Sequence, residues 1–111
     1  MSTHLDTAVG TLTIRHSDSV TLARVETFLQ DILWEKEEEM ADTEIMRLKG
    51  LVSLGDTQVI IQGVHDTYDT YRRPTNHERD MLQGVVVVLI GRNLNKDAIM
   101  DLFNKHMSGD T

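Results

Sequence analysis

Arg47 and Lys49 stand two residues apart inside an otherwise apolar run, and Gln62 lies on the segment that follows. Side chains two apart share one face of a β-strand. Two cations on such a face can hold an anion or a carboxylate, Arg through paired N–H donors and Lys as a point charge. Arg92, closing a later apolar run, and Arg72 with Arg73 in a polar stretch would enlarge that surface if the fold gathers them. Alternatively, each cation pairs with a nearby carboxylate on an open sheet face, where an ion pair contributes little. His65, Asp66 and His77 make a second candidate group, a His-Asp-His metal set. No pair of histidines has the helical i, i+4 spacing or the short knuckle that makes a zinc site specific. The plainer expectation is that His65 is a sheet-face residue bonded to a neighbour and that His77 is exposed. His16 and His106 read as edge residues, and His4 as part of a tail.

Other chemistry has little to work with. The chain has no cysteine, which removes disulfides, thiolate nucleophiles and thiolate metal sites. It has no Ser-His-Asp order, nucleophile elbow or Gly-rich phosphate loop. Glu37, Glu38 and Glu39 are adjacent, so on a helix they point in different directions and form a solvated face, not an acid/base pair. Catalysis by this chain alone is not expected, and neither is a cofactor.

Those candidates need a frame. A length of 111 residues fits one domain, and 40% hydrophobic residues can build a core. No apolar run reaches the ~20 residues that cross a bilayer, and the first residues lack the apolar centre of a signal peptide. A net charge of −7 argues against nucleic acid or an anionic membrane as partner. A cytoplasmic or nuclear location is expected, in keeping with the missing cysteines.

Thr11 to His16 alternates, with Leu12 and Ile14 on one side, and reads as a half-buried strand. Leu22, Val25, Phe28, Leu29, Ile32 and Leu33 recur at helical spacing over Leu22 to Lys36. Thr21 is its expected N-cap, Val20 and Val25 its hydrophobic staple, and Trp34 a core residue beside the stripe. The acidic stretch Glu35 to Asp42 reads as a fraying helix end and a solvated loop. Two strands follow, Glu44–Leu54 and Gln58–His65, joined by a tight turn at Gly55-Asp56. In the first, Met46, Leu48 and Val52 are expected to share the core face. Asp66 to Gln83, which holds the only proline, loses periodicity and reads as a long surface loop. Val85 to Ile90 is a continuous apolar run, the pattern of a central strand covered on both faces. A last helix starts at the N-cap Asn95, with Leu94 and Ile99 as staple, and Gly109 can end it. The order is β-α-β-β-β-α, an α+β fold with a four-stranded, mostly antiparallel sheet and two helices on one face. Residues 1–9 read as an incoming linker and 10–108 as the domain.

Four segments in register carry a resemblance: Phe28-Leu29-Gln30-Asp31-Ile32-Leu33-Trp34-Glu35, Arg47-Leu48-Lys49-Gly50, Gln62-Gly63-Val64-His65 and Ile90-Gly91-Arg92-Asn93-Leu94. Together they resemble the C-terminal domain of the CobW/COG-type metallochaperone GTPases, most closely the eukaryotic zinc-regulated GTPase metalloprotein activators. The resemblance runs from about Gly10 to Met107; it departs at Asn76 to Val85, where Leu82-Gln83-Gly84 replaces a more polar entry. It implies a parent with an N-terminal P-loop GTPase domain that uses GTP, magnesium and zinc and serves a client metalloenzyme. This chain would be its accessory domain, docking or regulating the GTPase domain or the client. Arg47, Lys49, Gly50, Gln62, Gly63, His65, Gly91 and Arg92 carry over as motif positions. The glycines would serve backbone geometry or close packing, and Arg47, Lys49, His65 and Arg92 would make contacts. The competing class is an independent small metal-binding or enzymatic domain built on His65, Asp66 and His77.

Overall fold

A computed structural model describes residues 8–36, 38–75 and 84–108. The elements run β1 (Gly10–His16), α1 (Leu22–Leu33), a single 3-10 turn (Glu38–Met40), β2 (Glu44–Ser53), β3 (Thr57–Val64), β4 (Thr67–Pro74), β5 (Gly84–Arg92) and α2 (Lys96–Met107). The sheet has five strands in the order β1-β5-β2-β3-β4, and every neighbouring pair is antiparallel. β1 and β2 both pair with β5 between them, so they run parallel to each other, and α1 makes the crossover.

The sheet therefore has one more strand than the sequence reading counts. β4 falls inside the stretch read as a loop. As the edge strand it pairs only with β3, and only Tyr68 among its residues is even half-buried. An edge strand without a buried face shows no apolar alternation, so periodicity misses it. Thr67, Tyr68, Thr70 and Tyr71 are nevertheless strand-forming types.

One face of the sheet carries Ile14, Val85, Val87, Leu89, Leu48, Val52, Val59 and Ile61, all in a single core with residues of both helices. α1 contributes Val25, Phe28, Leu29, Ile32 and Leu33, and α2 contributes Ile99, Phe103 and Met107. Phe28 and Phe103 meet edge to face at 5.1 Å between ring centroids. Such a pair adds roughly 0.5–1.5 kcal/mol to the burial of both rings. The expected caps form: the Arg24 N–H donates to Thr21 Oγ1 at 3.3 Å, and the Ala98 N–H to Asn95 Oδ1 at 3.1 Å. Both satisfy helix-start donors that otherwise lack partners. α1 stops at Leu33, short of Lys36, and Met40 in the following turn is buried in the core. The acidic stretch thus contains an anchor that its charge conceals. Gly109 lies outside the described residues.

β2 changes parity along its length. Ile45 faces Gly91 of β5, whereas Arg47 faces Ile90, so Met46 is an extra residue in a bulge. Ile45 and Leu48 both reach the core on either side of it, and Met46 does not share their alternation. Opposite the bulge, a Cβ on Gly91 would collide with the Glu44 carbonyl oxygen. At Gly63 a Cβ would sit 2.9 Å from Leu48 Cγ and from the Thr67 carbonyl oxygen. Gly50 is different, because its Cβ would meet Ile61 Cβ at an ordinary 3.4 Å. Gly91→Ala is expected to cost about 1–3 kcal/mol through backbone overpacking, and Gly50→Ala to be nearly neutral. Urea unfolding of the two variants checks this ordering; equal midpoints would contradict it.

Candidate functional site

The face of the sheet turned away from the helices holds the cations. Alternation along each strand gives it Arg47, Lys49 and Leu51 from β2, Val86, Val88 and Ile90 from β5, and Ile60, Gln62 and Val64 from β3. β4 adds Asp69, Tyr71 and Arg73, and β1 adds Thr13 and Arg15. Lys49 lies opposite both Gln62 and Val88, and Arg47 opposite both Val64 and Ile90. Arg47, Lys49 and Gln62 thus come together as their spacing predicts. All three are exposed, and among the described residues neither cation has an ion-pair partner. Gly50 and Gly63 lie on the same strands but face the core.

Two shallow depressions flank the Lys49 side chain. One, of about 450 Å³, runs toward the Arg47 end past Val64, Asp69 and Ile90. The other, of about 380 Å³, is lined by Leu51, Ile60, Tyr71, Val86 and Val88. The first is lined by polar and apolar groups alike, the second mainly by apolar side chains, and among the described residues no helix or strand covers either. Val64 is 51% exposed and Tyr71 47%. A solvated face of an antiparallel sheet is ordinarily polar. Five described cations stand on this one, Arg15, Arg47, Lys49, Arg73 and Arg92, against two described carboxylates, Asp69 and Glu44, of which Glu44 is paired with Arg92.

The remaining candidates separate. Arg92 pairs with Glu44 at 3.2 Å at the end of the sheet, both side chains well exposed, so their attraction is heavily screened. Arg72 sits on the opposite side of β4 from Arg73, whose Nε donates to Gln58 Oε1 at 2.9 Å. His65 is not a sheet-face residue. It occupies the β3–β4 turn with φ 56°, a left-handed conformation uncommon outside glycine, and its N–H donates to the Met46 carbonyl at 3.0 Å. That bond ties the turn to the β2 bulge. Asp66 is the other turn residue, and Lys36 lines the same small cleft as both, placing a cation where a metal set would need donors. His77 lies outside the described residues, and among those described no group of three His, Asp or Glu side chains is arranged to hold a metal ion.

Sequence reasoning missed the clasp that holds β4 in place. Trp34 is not a core residue: it is 54% exposed, caps the end of α1 and stacks on Tyr68 at 6.0 Å. Its indole N–H donates to the Asp66 carbonyl at 2.6 Å. The Tyr68 hydroxyl donates to Glu26 Oε1 at 2.8 Å and accepts from Gln30 Nε2 at 3.2 Å. Glu26, Gln30 and Trp34 recur every four residues along α1, a signal that marks one helix face without naming its partner. Across the core, His106 Nε2 lies 2.7 Å from Asp31 Oδ2 and joins the two helices.

Known proteins place this geometry in context. A family described as the cobalamin synthesis protein cobW C-terminal domain matches residues 9–107. The zinc-regulated GTPase metalloprotein activator 1 of Saccharomyces cerevisiae is 32% identical over 73% of this chain, which spans only 21% of that protein's length. The Zn(II)-bound YjiA GTPase from E. coli, and a Zn(II)-bound triple mutant of it, share the fold with a TM-score of 0.69 at 22% identity. Each match covers 87% of this chain and 29% of the other.

Burial raises the Tyr68 pKa above the usual tyrosine value of 10.0; Gln30 opposes the shift by stabilising the phenolate, and Glu26 adds to it. A raised folded-state value means that the unfolded chain ionises first. The stabilisation is therefore complete below about pH 10 and is lost as pH rises through the Tyr68 value in the folded protein. Urea unfolding between about pH 8 and 11 should show this decline in the wild type and a shallower one in Tyr68→Phe. Parallel profiles would contradict it.

Proposed function

The chain belongs to the CobW C-terminal domain family, and from that premise we propose that it is the accessory domain of a GTP-hydrolysing zinc metallochaperone. In this reading the domain spans residues 10–108 behind a linker. Nucleotide, magnesium and zinc chemistry belong to the rest of the parent protein. The chain's own part is to dock, through its uncovered sheet face, on the GTPase domain or on a client metalloprotein. The location that goes with this role is cytoplasmic; among the described residues no helix is long and apolar enough to cross a membrane.

The observation that carries the docking role is the gathering of Arg47, Lys49 and Gln62 on an apolar face that nothing described covers. Exposed cations contribute little to the folding of this domain. On a docking face they select an electrostatically complementary partner and speed its association. Gly63 and Gly91 shape the same strands by close backbone approach, and His65 fixes the turn beside Arg47.

Arg47→Ala combined with Lys49→Ala in the full-length parent should leave thermal stability within about 0.5 kcal/mol, since both are surface positions. It should weaken association with the GTPase domain or client on the order of tenfold at low salt, with GTP turnover or client activation changed accordingly. Wild-type values for association, turnover and activation together would overturn the docking role.

A further inference from the structure

The outer side of β5 is more apolar than an open sheet face requires. Val86, Val88 and Ile90 project from it in sequence, flanked by Leu51 and Ile60; all five are half-buried, and among the described residues no helix or strand lies above them. On the inner side, the alternate residues Val85, Val87 and Leu89 are covered by α1 and α2. Sheets with both faces apolar are normally closed by helices on each. We propose that the missing layer is an acidic amphipathic helix, supplied by the partner that docks on this face and laid across Val86, Val88 and Ile90 between Arg47 and Arg73. This inference rests on the docking role and names the chemistry of its partner.

Dimension and charge both select that occupant. Three outward residues on one strand span about 13 Å, close to two and a half turns of helix. The cations Arg15, Arg47, Lys49 and Arg73 border the strip, while Asp69 lies at the β4 rim. A second copy of this chain laid face to face would set Lys49 and Arg47 against their own counterparts. An anionic membrane would have to accept a chain of net charge −7. An acidic helix meets no such repulsion: its apolar stripe fills the trough of Leu51, Ile60, Val86 and Val88, and its carboxylates reach Lys49 and Arg47 along the more polar depression beside it.

The test uses this chain with a synthetic helical peptide of about 18 residues, long enough to hold a helix. Leu is placed at i, i+3, i+4 and i+7 and Glu elsewhere, and a second peptide carries Lys in place of every Glu. Methyl resonances of Leu51, Ile60, Val86, Val88 and Ile90 should shift and saturate with the Glu peptide, less so at high salt, and not with the Lys peptide. Lys49→Glu should weaken the Glu peptide about tenfold and admit the Lys peptide. Equal response to both peptides, no response at these methyls, or stronger capture by anionic lipid vesicles than by the Glu peptide would overturn the proposal. Failure here with an altered GTP turnover in the Arg47→Ala, Lys49→Ala parent would remove the acidic helix and leave docking. Peptide binding with unchanged turnover, association and activation would instead remove the docking role in that parent.

Discussion

β5 is the strand on which the structure depends, because it is apolar on both sides and the sheet is organised around it. It pairs with β1 and β2, the two strands that α1 connects, and its inner residues take the packing of both helices. One side of this strand is buried in the core with both helices. The other side stays half-buried under neighbouring side chains, a compromise that a lone domain tolerates and a partner would relieve. The same feature that stabilises the fold therefore creates the surface available for recognition.

The rest of the architecture keeps that surface in order. The Met46 bulge lets Ile45 and Leu48 both reach the core while Arg47 and Lys49 face outward. Gly91 admits the close approach of Glu44, and the left-handed His65 closes the next turn onto the bulge through the Met46 carbonyl. On the far edge, β4 has little core of its own. It is held to α1 by Trp34 on Tyr68 and by the Glu26 and Gln30 hydrogen bonds, which fix the strand carrying Asp69, Tyr71 and Arg73. In the proposed docking role, these cations near an apolar strip would discriminate among partners more than they stabilise the fold.

Much of this was legible in the chain. The helices announced themselves through 3.6-residue periodicity and through Thr21 and Asn95, whose cap bonds depend only on local residues. The continuous run in β5 declared a strand apolar on both sides, but the expected cover lies only on its inner side among the described residues; the two-residue spacing put Arg47 and Lys49 on one face, and the β2–β3 register brings Gln62 beside Lys49. Most of the failures depend on a contact distant in sequence, and one on the lack of a buried face. β4 has no buried face to generate a pattern, and the Met46 bulge shifts parity only in register against Gly91 and Ile90. Trp34 looks like a core aromatic until Tyr68 and Asp66, more than thirty positions away, are seen beneath it. Met40 is a buried anchor among acidic neighbours. The family resemblance, carried by four short segments in order, withstood these local errors because it relied on motif spacing.

On the proposed docking role, the outer face of β5, uncovered among the described residues, becomes covered when the partner binds. A soluble paramagnetic relaxation agent reports it directly, by broadening methyl signals that water can reach. Strong broadening of Val86, Val88 and Ile90 is expected in the 111-residue chain, with marked protection of the same methyls in the full-length protein engaged with its partner. Val85, Val87 and Leu89 should stay protected in both. Equal broadening of the outer three in both states would contradict the account.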